Sequence, residues 1–506
     1  MGAENQQVVI VGAGFAGLCV AIRLKMAGFD DFTVFERGER LGGTWRDNAY
    51  PGAACDVRSS LYSFSFEPNP GWSRAYAPQG EILAYLERCA DKYGLGPHLR
   101  LGCGVQRAEF DEASGLWSVT LEGGRAVKAR WVVAGCGGLS RPSLPPIPGL
   151  SDVEGPVFHT ARWRHDVPLA GKRVAVVGTG ASAIQIVPAI APEVGQLYVF
   201  QRTPPWVLPK LDAPIGPRAR ALFGALPLAQ RLARLAHYWR NELVATGFVG
   251  HSRLLRLVEG MARKHLARSV PDPALRAKLT PDYRIGCKRI LISDDYYPAL
   301  LRPNVELVDA AVAEVRARSV VAADGRERPV DAVVLATGFQ AAEAGAPFEV
   351  RGRGGADLGE AWREGPEAFL GTTVAGFPNF FMIVGPNTGL GHSSMVLMIE
   401  SQAAYVLSAI GAMRGRGLSF ADVRREAQAR YNRELARRLP KTVWASGCAS
   451  WYQTGAGKNT VIWPGYTWEF RLRTRRFDPR DYELAPLAGA RAGAPAGAAE
   501  GAAPAE

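Results

Sequence analysis

A short apolar run, Val8–Val11, ends in Gly12-Ala-Gly14-Phe-Ala-Gly17 and continues as a helix-like stretch to Gly28. Strand, glycine turn and helix in that order leave a chain little choice but a parallel βαβ unit. Gly12 permits the tight turn, and Gly17 lets the helix lie close on the strand. Gly14 lets backbone amides approach a pyrophosphate at the helix N-terminus, where the helix dipole favours anions. Gly28 suits a C-cap. Phe32–Phe35 reads as the second strand and ends in Glu36, 24 residues after Gly12. A carboxylate there accepts hydrogen bonds from ribose hydroxyls and repels a 2′-phosphate, so this cradle is expected to take FAD or NAD and not NADP.

The same grammar returns at Arg173–Val177, Gly178-Thr-Gly180-Ala-Ser-Ala183, a helix to about Ile190 and a strand at Leu197–Phe200. No acid follows this second strand. Arg202 and Thr203 stand where a 2′-phosphate would lie, and a guanidinium forms paired, charge-assisted bonds to phosphate. The preference expected is NADPH. One FAD site and one NADPH site in a chain imply a flavin reduced by hydride from a nicotinamide.

The expected class is therefore α/β, with two Rossmann-like dinucleotide-binding domains and a helical insertion. Residues 1–150 would form the N-terminal part of the FAD domain, and the proline-rich stretch Pro142–Pro148 a domain connection. Residues 151–215 and 281–340 would form the NADPH domain, the latter ending in the buried-strand pattern Asp331–Gly338. Residues 216–280, rich in Arg, Leu and Ala with few turn signals, read as the helical insertion. Residues 341–484 would complete the FAD domain, and the Ala/Gly/Pro tail 485–506 has nothing to bury and is expected to be disordered.

At 506 residues and 47% apolar composition, the chain has material for several cores, which excludes wholesale disorder. No uninterrupted apolar run of ~18 residues occurs, arguing against a transmembrane segment. The first residues lack signal-peptide character, which gives a cytoplasmic expectation. Seven cysteines, an odd number without Cys-x-x-Cys, argue against a disulfide framework, a zinc site or any other metal centre, and a dithiol redox centre. The net charge of +12 rests on 10 Lys and 50 Arg. It signals an acidic partner only weakly, and no nucleic-acid partner is expected.

Three further stretches choose the chemistry. Gly42-Gly43-Thr44-Trp45 runs on to Tyr50-Pro51-Gly52 and Asp56. Gly155, His159 and Trp163 precede the second cradle. Gly286-Cys-Lys288-Arg289 is followed by Asp295-Tyr-Tyr297. Together they resemble the type I Baeyer–Villiger monooxygenases, class B flavoproteins, from Val8 to about Phe470. Two positions of the second stretch depart from the family fingerprint, Val153 for Phe and Arg164 for Pro or Asp.

The resemblance implies an FAD-containing, NADPH- and O2-dependent enzyme that converts a small-molecule ketone to an ester or lactone through a C4a-peroxyflavin. It implies that Gly12, Gly14, Gly17, Glu36, Gly43, Thr44, Trp45, Asp56, Tyr62 and Val105 hold FAD. It gives NADPH to Gly178, Thr179, Gly180, Ser182, Arg202, Thr203 and Lys288. Arg289 and Asp56 are the expected catalytic pair: a permanent cation stabilises anionic oxygen, and an ion pair fixes and compensates that cation. His159 and Trp163 read as an inter-domain hinge, His392 as a loop histidine, and Cys287 as oxidation-sensitive at most. Oxygenation of sulfur or nitrogen remains the alternative reaction, and the sequence leaves ketone size and oligomeric state open.

Overall fold

The computed structural model describes residues 4–250, 252–342 and 346–486. The opening βαβ unit forms as its pattern requires. Strand β1 (Glu4–Val11) pairs in parallel with β2 (Phe32–Phe35), and the helix between them, α1, spans Phe15–Met26. Val8, Val9, Ile10 and Val11 are all buried because both faces of the strand are covered. At the end of α1, the amide of Phe29 bonds to the Leu24 carbonyl at 3.0 Å while Gly28 takes a φ of 71°. This left-handed cap is the reason a glycine stands there.

The first sheet continues through β3 (Leu99–Arg100), β4 (Val105–Asp111), β5 (Leu116–Leu121) and β6 (Ala126–Ala134). A strand at Glu349–Arg351 joins its edge. The order is 349–351, β4, β5, β6, β1, β2, β3, with a further strand, Phe380–Met382, pairing in parallel with β6. Helices α2 (Thr44–Asp47) and α3 (Gln79–Lys92) follow β2 in the chain.

The second sheet is all parallel. It contains β7 (Val157–His159), β8 (Arg173–Val177) and β9 (Gln196–Phe200), together with Val305–Val308 and Ala332–Leu335. Their order is 305–308, β9, β8, 332–335, β7. Helix α4 (Ala183–Ile190) follows the second glycine turn. Both sheets thus have the doubly wound, Rossmann-like form expected of an α/β chain.

Four helices, α5 (Pro217–Ala225), α6 (Pro227–Val249), α7 (Ser252–Ser269) and α8 (Pro273–Lys278), lie between the paired strands Val207–Leu208 and Leu291–Ile292. Among the described residues one helix, Met395–Gly415, is long and apolar enough to cross a membrane by length and composition. The criterion of an uninterrupted apolar run passes over it. Val396, Met398, Ala403, Tyr405 and Val406 are buried in the core that α1 also builds, and Met413 Sδ accepts from the Trp131 indole at 3.4 Å.

Two further expectations change. Cys287 and Cys448, 161 residues apart, form a disulfide, so the argument from odd count and spacing fails for this pair. A single bridge needs no local motif, because the fold supplies the proximity. The tail begins later than its composition suggests: Ala485 and Pro486 pair with the strand Leu418–Val423. The rest of the tail, 487–506, lies outside the described residues.

Candidate active site

The two glycine turns are shaped by steric necessity. Gly12, at φ 98°, donates its amide to the Phe35 carbonyl at 2.7 Å, and a Cβ there would stand 2.9 Å from the Gly135 oxygen. A Cβ on Gly17 would overlap the Gly12 carbonyl. Gly14 is the N-cap of α1 and offers no side-chain cap, leaving the first helical amides to an external anion. Gly43 faces it, with a Cβ on Gly14 falling 3.6 Å from the Gly43 Cα. That opposition sets the short helix of Thr44 and Trp45 beside the start of α1.

Glu36 is buried. Its Oε2 accepts from the Ala13 amide at 2.8 Å, and its Oε1 accepts from the Gly38 amide and from Arg46 Nη1, each at 2.8 Å. The carboxylate is therefore fixed at the end of β2, facing the glycine turn. Trp45 donates its indole N–H to Tyr62 Oη at 3.2 Å, and the Tyr62 ring stands edge-on to Phe15 at 5.2 Å. Burial pushes the Tyr62 phenol well up, so it stays neutral. Val105 opens β4, just after the Cys103 amide bonds to the Glu36 carbonyl at 2.8 Å.

In the second cradle, Gly178 at φ 110° donates to the Phe200 carbonyl at 3.0 Å. Thr179 Oγ1 donates to the Thr203 carbonyl at 3.1 Å, tying the turn to the strand end beyond β9. Gly180 and Ser182 lead into α4, whose N-cap Ser182 makes no side-chain cap bond. Arg202, Thr203 and Lys288 border one cavity of about 650 Å³, which Lys278, Arg284 and Cys448 also line. Burial, and then the neighbouring Arg202, lower the Lys288 pKa, against a smaller opposing effect of Asp282. The Lys288 ammonium lies 4.6 Å over the Tyr283 ring.

Arg289 and Asp56 meet although 233 residues separate them. Arg289 Nε and Nη2 donate to the same oxygen, Asp56 Oδ2, at 3.0 and 2.6 Å. Their side chains are 32% and 26% exposed, which leaves the guanidinium approachable. Asp56 raises the Arg289 pKa further against the opposing effect of burial, so the group is cationic at any working pH. Among the described residues Arg289 Nη1 has no hydrogen-bond partner.

Several residues escaped the sequence reading. Arg46 anchors Glu36. Lys278 adds a cation to the second cradle. Tyr452 lies close enough to influence Arg289, yet its buried hydroxyl finds no partner among the described residues and is pushed up to about 12 by burial. Tyr50 and Gln185 join the two cradles: Tyr50 Oη donates to Gln185 Oε1, and Gln185 Nε2 donates to the Ala54 carbonyl, both at 2.9 Å. Of these, Arg46 and Tyr50 lie within the recognised stretch Gly42–Asp56, Arg46 at a position its pattern leaves open.

His392 lies in the loop ahead of the helix Met395–Gly415, as expected, with its side chain fully enclosed 3.6 Å from Glu242 Oε1. His159 closes β7, and its Nδ1 accepts from the Ala161 amide at 3.1 Å. The adjacent Phe158 ring packs edge-on against Trp163 at 5.0 Å.

The two glycine cradles, one acid-lined and one cation-lined, fit a flavin dinucleotide and a phosphorylated nicotinamide dinucleotide respectively. Residues 5–223 match the family model for flavin-binding monooxygenase-like proteins. A Baeyer-Villiger monooxygenase of Pseudomonas aeruginosa is 49% identical over 490 residues, covering 96% of this chain and 93% of that protein. The crystal structure of OTEMO in complex with FAD and NADP superposes with a TM-score of 0.86 at 28% identity, covering 96% of this chain and 100% of the other. The closed crystal structure of cyclohexanone monooxygenase gives 0.86 at 29% identity, with the same coverage.

Proposed function

Since the chain belongs to the Baeyer–Villiger monooxygenase family, we propose that Arg289 and Asp56 are its catalytic pair, acting between the two cradles. The protein is an FAD-containing, NADPH- and O2-dependent monooxygenase that converts a ketone to an ester or lactone. Held by the first cradle, FAD would supply acceptance of hydride from a bound nicotinamide and the activation of O2 for insertion beside the ketone carbonyl.

The chain's own residues bind, orient and compensate. Glu36 receives the ribose hydroxyls of FAD, and the α1 N-terminus its pyrophosphate, with Gly43 and Thr44 closing the other side. Trp45 and Tyr62 wall the flavin from water, and Val105 supplies backbone beside the adenosine half. Gly178, Thr179, Gly180 and Ser182 cradle the NADPH pyrophosphate, while Arg202, Thr203 and Lys288 take the 2′-phosphate. Arg289 stabilises the negative charge that grows on the ketone oxygen during attack, and Asp56 holds the guanidinium in place. Removing one such donor typically costs ~10²–10³ in kcat.

One observation carries this reading: the clasp of Arg289 on Asp56 Oδ2 at 2.6 Å, which leaves Nη1 unclaimed. The division of the chain proposed here gives 1–150 and 341–484 to the FAD domain, and 151–215 and 281–340 to the NADPH domain. The pairing of strand 349–351 with β4 and of strand 332–335 with β8 supports it. A cytoplasmic address suits the NADPH requirement.

The test is turnover of a ketone panel under isotopically labelled O2. An ester carrying one labelled oxygen for each NADPH consumed supports the reading. Labelled sulfoxide from a sulfide panel, with every ketone left untouched, would move the enzyme to the alternative chemistry.

A further inference from the structure

Helix α6 is amphipathic in the reverse of the usual sense. Its inner face is pinned to the rest of the protein by polar contacts along most of its length, with Ala245 and Phe248 buried only near its C-terminal end. Arg234 Nη1 donates to the Ser60 and Ser63 carbonyls at 2.7 and 3.1 Å, His237 Nδ1 pairs with Ser60 Oγ at 2.8 Å, and Glu242 accepts the Thr467 amide at 3.1 Å. Its outer face carries Leu228, Leu232, Leu235, Trp239 and Leu243, each between 50% and 67% exposed. At 3.6 residues per turn these five fall within an arc of about 80°. A surface helix normally turns such a stripe toward the core.

The surroundings are cationic. Arg231 and Arg240, both exposed, edge the stripe on its two sides. Residues 217–269 contain ten Lys and Arg against two acids, Glu242 and Glu259. Glu242 is buried, and Glu259 is paired to Arg263 at 2.8 Å. The preceding helix adds the exposed Leu222, and the residue that links it to α6 is the exposed Leu226. An exposed apolar stripe with Trp in it, flanked by arginines, has the make-up of a helix that lies in the plane of a membrane surface.

We infer that the outer face of α6 is a peripheral docking surface for an anionic lipid bilayer. The leucines and Trp239 enter the boundary between headgroups and acyl chains, and Arg231 and Arg240 meet lipid phosphates. A second copy of the chain is a poorer occupant, because a two-fold contact on this stripe sets the same arginines against each other. A nucleic acid would satisfy the arginines but leave the leucines in water. The surface is independent of the reaction assigned above.

The experiment is flotation of the purified flavin-loaded protein with vesicles of phosphatidylcholine alone and of equal parts phosphatidylcholine and phosphatidylglycerol. The protein should float with the mixed vesicles at low salt and stay behind with phosphatidylcholine. A Leu232→Glu/Trp239→Glu variant should lose vesicle binding, and Arg231→Gln/Arg240→Gln should weaken it on the order of tenfold or more. Both variants lie on the surface, so retained flavin colour and unchanged melting confirm their folding, and either one alone carries the test.

The inference is overturned if the unaltered protein floats with neither vesicle, or if both variants float as it does. It is also overturned if the Leu232→Glu/Trp239→Glu variant instead abolishes a dimer seen by light scattering, or if short duplex DNA binds the unaltered protein and the Leu232→Glu/Trp239→Glu variant equally, loses the Arg231→Gln/Arg240→Gln variant, and no vesicle is bound.

Discussion

Tyr50 donates a 2.9 Å hydrogen bond to Gln185, a residue of the second cradle's helix 135 positions along the chain. Gln185 returns a bond to the Ala54 carbonyl, two residues before Asp56. The loop that carries Asp56, proposed as the catalytic carboxylate, is thereby fastened to the second cradle. A Gln185→Ala variant should lose about 1–3 kcal/mol of stability by denaturant titration. It should also consume more NADPH per ester formed. Unchanged coupling would show that the contact is structural only.

Arg202 faces the cation-lined cavity beside Lys288. An Arg–phosphate bond is worth roughly 1.5–3 kcal/mol, so Arg202→Ala should raise the KM for NADPH about tenfold or more while leaving that for NADH nearly unchanged. Steady-state kinetics with both nucleotides decide it. Equal losses with both would remove the 2′-phosphate assignment.

The Cys287–Cys448 bridge ties the segment of Lys288 and Arg289 to the 446–449 loop that lines the same cavity. Closing a loop this long stabilises by up to about 5 kcal/mol in the chain-entropy picture. Dithiol treatment should therefore lower Tm and raise the KM for NADPH. Cys448→Ser should reproduce both effects and be insensitive to dithiol. Identical melting curves for oxidised and reduced protein would contradict this.

Burial lowers the pKa of His159 below its ordinary 6.5. The unfolded chain then takes up this proton first as pH falls, so folding stability declines below pH 6.5 and is fully retained above it. His237, lowered mainly by burial and then by Arg58 and Arg240, acts in the same direction. Each group contributes at most about 1.4 kcal/mol per pH unit. His159→Asn keeps an acceptor for the Ala161 amide and should flatten the acid limb of a stability–pH curve. An unaltered limb would mean that His159 is not among the groups responsible.

Both dinucleotide cradles were legible because their determinants are local. Gly12, Gly14, Gly17 and Glu36 lie within one βαβ unit, and the positive φ at Gly12 and Gly178 is a property of the turn itself. Lys288 and Arg289 came from a contiguous segment and its resemblance to a family. What escaped was contact between distant segments. Gln185 reads as an ordinary polar helix residue, Arg46 as a surface cation, and Cys448 as a lone thiol until the fold sets it beside Cys287. Tyr452 carries no motif, and its hydroxyl, without a partner among the described residues and beside Arg289, sets it apart. The exposed leucines of α6 obey helical spacing, but spacing alone does not say which side of a helix meets solvent.

The central claim is tested most directly by Arg289→Ala, followed first by flavin bleaching with NADPH without oxygen and then by ester yield on a ketone in air. The variant should still be reduced by NADPH, and should form ester at least ~10²-fold more slowly than the unaltered enzyme. Ester formation at the full rate would contradict the account.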